Sequence, residues 1–141
     1  EGGGSYPSLP VSRLVVRDCV VADNSANQAG STGAIALEGT SLCDLSGIVM
    51  TANKAHLGGA LSVCDESSAS LDNVTMSGNS AEKCGGAIAI SSARGVRVVS
   101  TATITDNFSG EDGGGVCLRY VPSADASQLS CIQGAVPPFL V

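Results

Sequence analysis

The chain has 141 residues, a formal net charge of -6 and a pI near 4.4. That length predicts one domain, and the acidity excludes a nucleic-acid binder, because no basic stripe exists to replace phosphate counterions. Two Tyr, two Phe and no Trp demand a thin core of Ala, Val, Ile, Leu and Met, while eighteen Gly in a chain 43% apolar point to regular structure with frequent tight turns rather than disorder.

In chain order, residues 1–10 read as an N-terminal arm or cap, with "SYPSLPV" (5–11) leading into the first repeat. The chain opens on Glu1 without a signal-like apolar run, which reads as a processed mature chain or an excised fragment. No apolar run approaches the roughly 18 residues that span a bilayer, so no membrane span is expected. The first unit then places Val16, Val21 and Asn24 ahead of a polar run and "TGAIAL" (32–37). The second repeats the order with Leu45, Met50, Asn53 and "GGALSV" (58–63), and the third with Leu71, Met76, Asn79 and "GGAIAI" (85–90). A fourth follows with Val99, Ile104, Asn107 and "GGGVCL" (113–118). The four Asn are spaced by 29, 26 and 28 residues.

Self-similarity at such a period marks a repeat architecture. Within each unit Ile35 and Leu37, Leu61 and Val63, Ile88 and Ile90, or Val116 and Leu118 alternate with small residues. That period of two suits strands and excludes amphipathic helices. The expected fold is therefore all-β: a right-handed parallel β-helix of about four coils over residues 11–120, with like residues stacked at roughly 4.8 Å. An Asn at each coil corner can bond its own backbone and the Asn of the next coil, so Asn24, Asn53, Asn79 and Asn107 are expected to form a ladder. Gly33, Gly58, Gly59, Gly85, Gly86, Gly113 and Gly114 are expected where φ is positive or backbones approach too closely for a Cβ. Ala36, Ser62 and Ala89 are expected to face out.

These motifs resemble the repeats of the polymorphic outer membrane protein family, whose paired signatures are "GGAI" and "FxxN". "GGAI" stands intact at 85–88 and as "GGAL" at 58–61, with "TGAI" at 32–35 and "GGGV" at 113–116. The FxxN-like sites read "VADN", "MTAN", "MSGN" and "ITDN". The resemblance implies a passenger-type β-helix that displays surface and holds shape.

A four-coil stack has two open ends, which template further pairing unless capped. Residues 121–141 read as a cap or docking tail, with Val136, Phe139, Leu140 and Val141 as its apolar anchors. The expected function is an extracellular structural repeat module of a cell-surface layer or head-to-tail filament, self-associating through its coil ends and tail. The alternative is an adhesin-like, carbohydrate- or ice-binding module using a flat face of Thr51, Thr75, Ser77, Thr103 and Thr105.

Six Cys with no CxxC, and His56 as the only His, favour disulfides in an oxidising compartment over zinc. Cys117–Cys131 is the leading pair, then Cys43–Cys64, then Cys19–Cys84; Cys19 is expected to face inward and Cys117 outward. Of the two sequons, "NVT" (73–75) and "NFS" (107–109), Asn73 is the glycosylation candidate, because Asn107 belongs to the ladder. The carboxylates are scattered and His56 reads as a solvated loop residue, so no enzyme, no metal and no cofactor are expected.

Overall fold

A computed structural model of the chain describes residues 12–92 and 94–118. Thirteen strands follow one another without a helix among these residues: β1 (Ser12–Arg17), β2 (Val20–Ala22), β3 (Ile35–Leu37), β4 (Ser41–Thr51), β5 (Lys54–Leu57), β6 (Leu61–Asp65), β7 (Ser68–Ser77), β8 (Ser80–Cys84), β9 (Ile88–Ser92), β10 (Gly95–Val98), β11 (Ala102–Thr105), β12 (Phe108–Ser109) and β13 (Val116–Leu118). Every strand pairs in parallel with its counterpart one repeat away. Three sheets result: a long one ordered β1-β4-β7-β10 that also takes in β2 and β11, a short one ordered β12-β8-β5, and a third ordered β13-β9-β6-β3. The chain is a parallel β-solenoid of about four turns.

The core is thin, as the lack of large rings requires. Leu45 stacks on Leu71, and Met50 on Met76, along inward columns of the long sheet. Leu37, Leu61, Val63 and Ile88 face them from the third sheet. The middle coils are sealed: Met50 and Met76 are fully buried, whereas Val21 and Ile104 in the same column of the outer coils are only partly so. Burial of a Met or Leu side chain contributes about 1.5–3 kcal/mol, so stability is concentrated in coils two and three.

Two registers depart from the spacing read in the sequence. Leu71 pairs with Val98, not Val99, so the fourth coil carries an extra residue before β11 and leaves Val99 exposed. In the first coil Thr32 pairs with Leu57, which aligns Gly33 with Gly58 rather than with Gly59. The small alternating residues of the third sheet also differ from expectation. Ala36, Ser62, Ala89 and Cys117 do form one outward column, but Ser62, Ala89 and Cys117 are buried. Ala89 and Cys117 join Leu57 and Cys84 in a second apolar cluster outside the main core. This cluster is what a parity rule alone misses: residues at a coil corner fold over the outer face of the next strand.

Candidate functional site

The corner after the long sheet holds the asparagines. Asn24 Nδ2 donates to Asn53 Oδ1 at 2.8 Å, Asn53 Nδ2 to Asn79 Oδ1 at 2.9 Å, and Asn79 Nδ2 to Asn107 Oδ1 at 2.9 Å. The same oxygens accept the backbone N–H of the preceding Asn, at 3.2, 3.0 and 2.9 Å. The second hydrogen of each inner amide goes to a carbonyl of the preceding coil: Asn53 to Val21, Asn79 to Met50 and Asn107 to Met76. Asn53 and Asn79 are buried yet satisfied, which is what makes a buried amide tolerable.

The residue before each Asn turns the corner with positive φ: Asp23 (59°), Ala52 (57°), Gly78 (67°) and Asp106 (55°). Asp, Gly and Asn tolerate this left-handed region; Ala does so at a cost. The glycine pairs divide their labour. Gly58 and Gly85 have positive φ (58° and 71°). Gly59 and Gly86 lie where a Cβ would sit 2.3 and 2.2 Å from a backbone oxygen of the following coil. Gly113 repeats the positive φ at 55°, and a Cβ on Gly114 would lie 3.2 Å from the Asn107 oxygen.

The ladder has a direction. Each rung donates toward the later coil, so among the described residues the Asn107 N–H and one Nδ2 hydrogen have no partner at the C-terminal end, and Asn24 Oδ1 accepts no hydrogen bond at the N-terminal end. The apolar surface follows the same geometry. Among the described residues, the exposed large apolar side chains are Leu14, Val15 and Val20 on the first coil and Val98, Val99, Phe108 and Val116 on the last, with Val49 alone between them. Val20 is 65% and Phe108 66% exposed.

The cysteines correct four expectations. Cys84 is bonded to Cys117, with Cα atoms 5.6 Å apart, so Cys117 does not pair with Cys131 and Cys84 does not pair with Cys19. Cys117 stacks on Ala89 one coil from the Cys84 corner, and that diagonal brings the two sulfurs together. Cys64 is also in a disulfide, while Cys43 is a free thiol, so Cys43–Cys64 is excluded. Cys43 points inward, and burial, reinforced by the Asp44 charge, pushes its thiol up to about 11. Cys19 is free and exposed rather than inward-facing; its column mates Ile48 and Val74 are covered by neighbouring coils, but the first coil is not.

The threonine face has the expected register, with Thr51, Ser77 and Thr105 in one column and Thr75 and Thr103 in the next. Val20 and Val49 interrupt it. Asn73 is exposed, with φ of 56°, whereas both polar atoms of the Asn107 side chain are engaged in the ladder. His56 lies in β5, not in a loop, and its Nδ1 is 3.0 Å from Glu82 Oε1. Asp23 and Asp106 occupy equivalent corners of the first and last coils. Tail residues Val136, Phe139, Leu140 and Val141, and Cys131, lie outside the described residues.

Polar pairing across the outer face of the long sheet was not read from the sequence. Arg13 Nη2 donates to Asp44 Oδ2 at 2.5 Å, and Ser70 Oγ donates to Asp44 Oδ1 at 2.6 Å. Those hydrogen bonds, Ser70 first and Arg13 next, hold the Asp44 carboxyl below its ordinary range. Part of the signal was present: Asp44, Ser70 and Arg97 fall at matching offsets in successive repeats, in a column whose first-coil member is Val15, while Arg13 reaches Asp44 from two residues earlier, opposite Leu42.

Stacked corners, an amide ladder and glycine-limited coil contacts define a parallel β-solenoid of tandem repeats. Residues 73–91 match the model of the Chlamydia polymorphic membrane protein repeat. This stretch contains both signatures, "MSGN" and "GGAI", and corresponds to most of the third coil, one of the two well-buried middle coils. No curated protein and no solved structure matches the chain.

Proposed function

We propose that the chain is an extracellular structural module, displayed at a cell surface, that stacks end to end with coils like its own. The observation that carries this reading is the concentration, among the described residues, of exposed apolar side chains on the first and last coils, on sheets whose outer edges pair with no other described strand. An exposed strand edge with apolar neighbours is a template for pairing. The match of the third coil to a membrane-protein repeat supports the surface location.

The ladder selects the geometry of association. Joined head to tail, the Asn107 N–H and Nδ2 of one copy, without further partners among the described residues, meet the Asn24 Oδ1 of the next, repeating the bonds between Asn79 and Asn107. Head-to-head contact would set oxygen against oxygen, and tail-to-tail contact N–H against N–H. Heterologous contacts of this kind do not close and build filaments. In this reading the protein performs no catalysis; it supplies length and surface.

Site-directed cross-linking tests the polarity. Ala22 and Thr105 belong to one column, so head-to-tail stacking brings Ala22 of one copy about 4.8 Å from Thr105 of the next, within disulfide reach. In a Cys19→Ser background, mixing Ala22→Cys with Thr105→Cys protein is expected to give the mixed dimer on oxidation. Self-linked dimers of either variant in preference to the mixed one would overturn the polarity, and absence of every dimer would overturn end stacking.

A further inference from the structure

An acidic molecule carries a basic groove. Four of the chain's seven Lys and Arg (Arg13, Arg17, Arg94 and Arg97) lie on or beside the outer face of the long sheet. A groove of about 480 Å³ runs over that face, lined by Arg13, Asp44, Ser68, Ser70, Arg94 and Arg97 among others. Its lining comes from β1, β4, β7 and β10, so it crosses every coil. With strands about 4.8 Å apart, the Arg13 and Arg97 rows stand about 14 Å apart.

The charges do not cancel. Asp44 is already committed to Arg13 and Ser70. Arg94 Nε lies 3.8 Å from Glu66 Oε1. Arg97 has no ion-pair partner among the described residues. With Asp44 on Arg13 and Glu66 on Arg94, three guanidinium groups face two carboxylates, and the excess positive charge sits at Arg97 on a chain of net charge -6.

We infer that this groove binds an acidic oligosaccharide, with its carboxylate or sulfate groups on the arginines and its hydroxyls on the Ser68, Ser70 and Asp44 row. Guanidinium forks hold planar and tetrahedral oxyanions through paired hydrogen bonds. Between the arginines, Asp44, Ser68 and Ser70 offer carboxylate and hydroxyl groups to sugar hydroxyls, beside the apolar side chain of Leu42. A peptide strand finds no backbone partners there, because the groove lies on the face of a sheet whose ladders are already filled. Nucleic acid finds no aromatic platform for its bases. The groove is on the flank of the stack, so occupying it does not compete with the coil ends.

Isothermal titration of the full chain tests this, using a heparin-derived oligosaccharide for sulfate, an oligogalacturonate for carboxylate and a neutral dextran as control. At least one acidic glycan is expected to bind, the dextran not, with affinity falling as salt rises from 50 to 300 mM. Whichever acidic glycan binds identifies the oxyanion. Arg97→Glu is expected to weaken binding tenfold or more and Arg97→Lys less, because Lys keeps the charge but loses the fork. Lys54→Glu, a change of the same charge in β5 on another sheet, is expected to leave affinity within twofold; circular dichroism confirms that each variant is folded. Absence of binding by both acidic glycans, equal weakening by Lys54→Glu, or tighter binding of a poly-glutamate peptide than of either glycan would overturn the proposal.

Discussion

Asn79 concentrates the residue-scale logic of the molecule. Its oxygen accepts two hydrogen bonds and its nitrogen donates two, all inside the stack. Replacing it by Ala strands the partner groups of Asn53, Met50 and Asn107 without water, and an unsatisfied buried group costs about 1–3 kcal/mol. Asn79→Ala should therefore lower unfolding free energy by about 3 kcal/mol or more in urea titration, and Asn24→Ala, at the exposed end, by about 1 kcal/mol. Ala52 makes the opposite case. It holds φ of 57° where the equivalent positions carry Asp, Gly and Asp, so Ala52→Gly should stabilise by about 1 kcal/mol through relief of backbone strain. The asparagines were legible because their period survives every insertion. The positive φ beside them was not read, since Asp, Ala and Gly share no chemistry, only a tolerance. The two free thiols also separate at this scale: at pH 8 a maleimide should label Cys19 in the native protein within minutes and Cys43 only after unfolding. Equal labelling would contradict the burial of Cys43.

At the scale of elements, the strands follow from alternation, but their registers do not. The extra residue that pairs Val98 rather than Val99 with Leu71 is invisible to an alignment of motifs, because both candidates are Val. The cysteine pairing failed for a related reason. Pairing Cys117 with Cys131 treats the outward face as empty, whereas the corner of one coil folds over the outer face of the next strand and brings Cys84 within reach. That bridge spans a sequence separation of 33 residues and ties the fourth coil to the third. A bridge of this size contributes about 3–4 kcal/mol in the chain-entropy account. Cys117→Ala should thus speed amide exchange in β11 to β13 more than in β6 and β7 by mass spectrometry. The outer face of the long sheet adds a pH dependence. Asp44 has its carboxyl depressed in the folded state, so its contribution is fully present above the ordinary carboxylate range and is lost as pH falls through its lowered value. Asp44→Asn should flatten that part of the acid limb of a stability–pH curve, while leaving stability at pH 8 lower than that of the parent protein.

For the whole molecule, the repeat made the solenoid legible before any geometry was known, since four units in register have few other ways to bury their apolar columns. The function was less legible, because fold-level likeness does not carry a task. What the structure adds is distribution. Among the described residues, apolar exposure collects on the first and last coils, hydrogen-bonding polarity runs from one to the other, and positive charge lines one flank. Of these, the ends bear most directly on the proposed role. Phe108→Asp, at the C-terminal end, should abolish association while leaving the monomer folded, as read by sedimentation and circular dichroism. The most direct test of the account is negative-stain electron microscopy of the native chain over a range of concentrations. Filaments with an axial repeat of about 2 nm, the height of four coils at 4.8 Å each, are the predicted result. Dispersed single particles at every concentration would contradict end-to-end stacking.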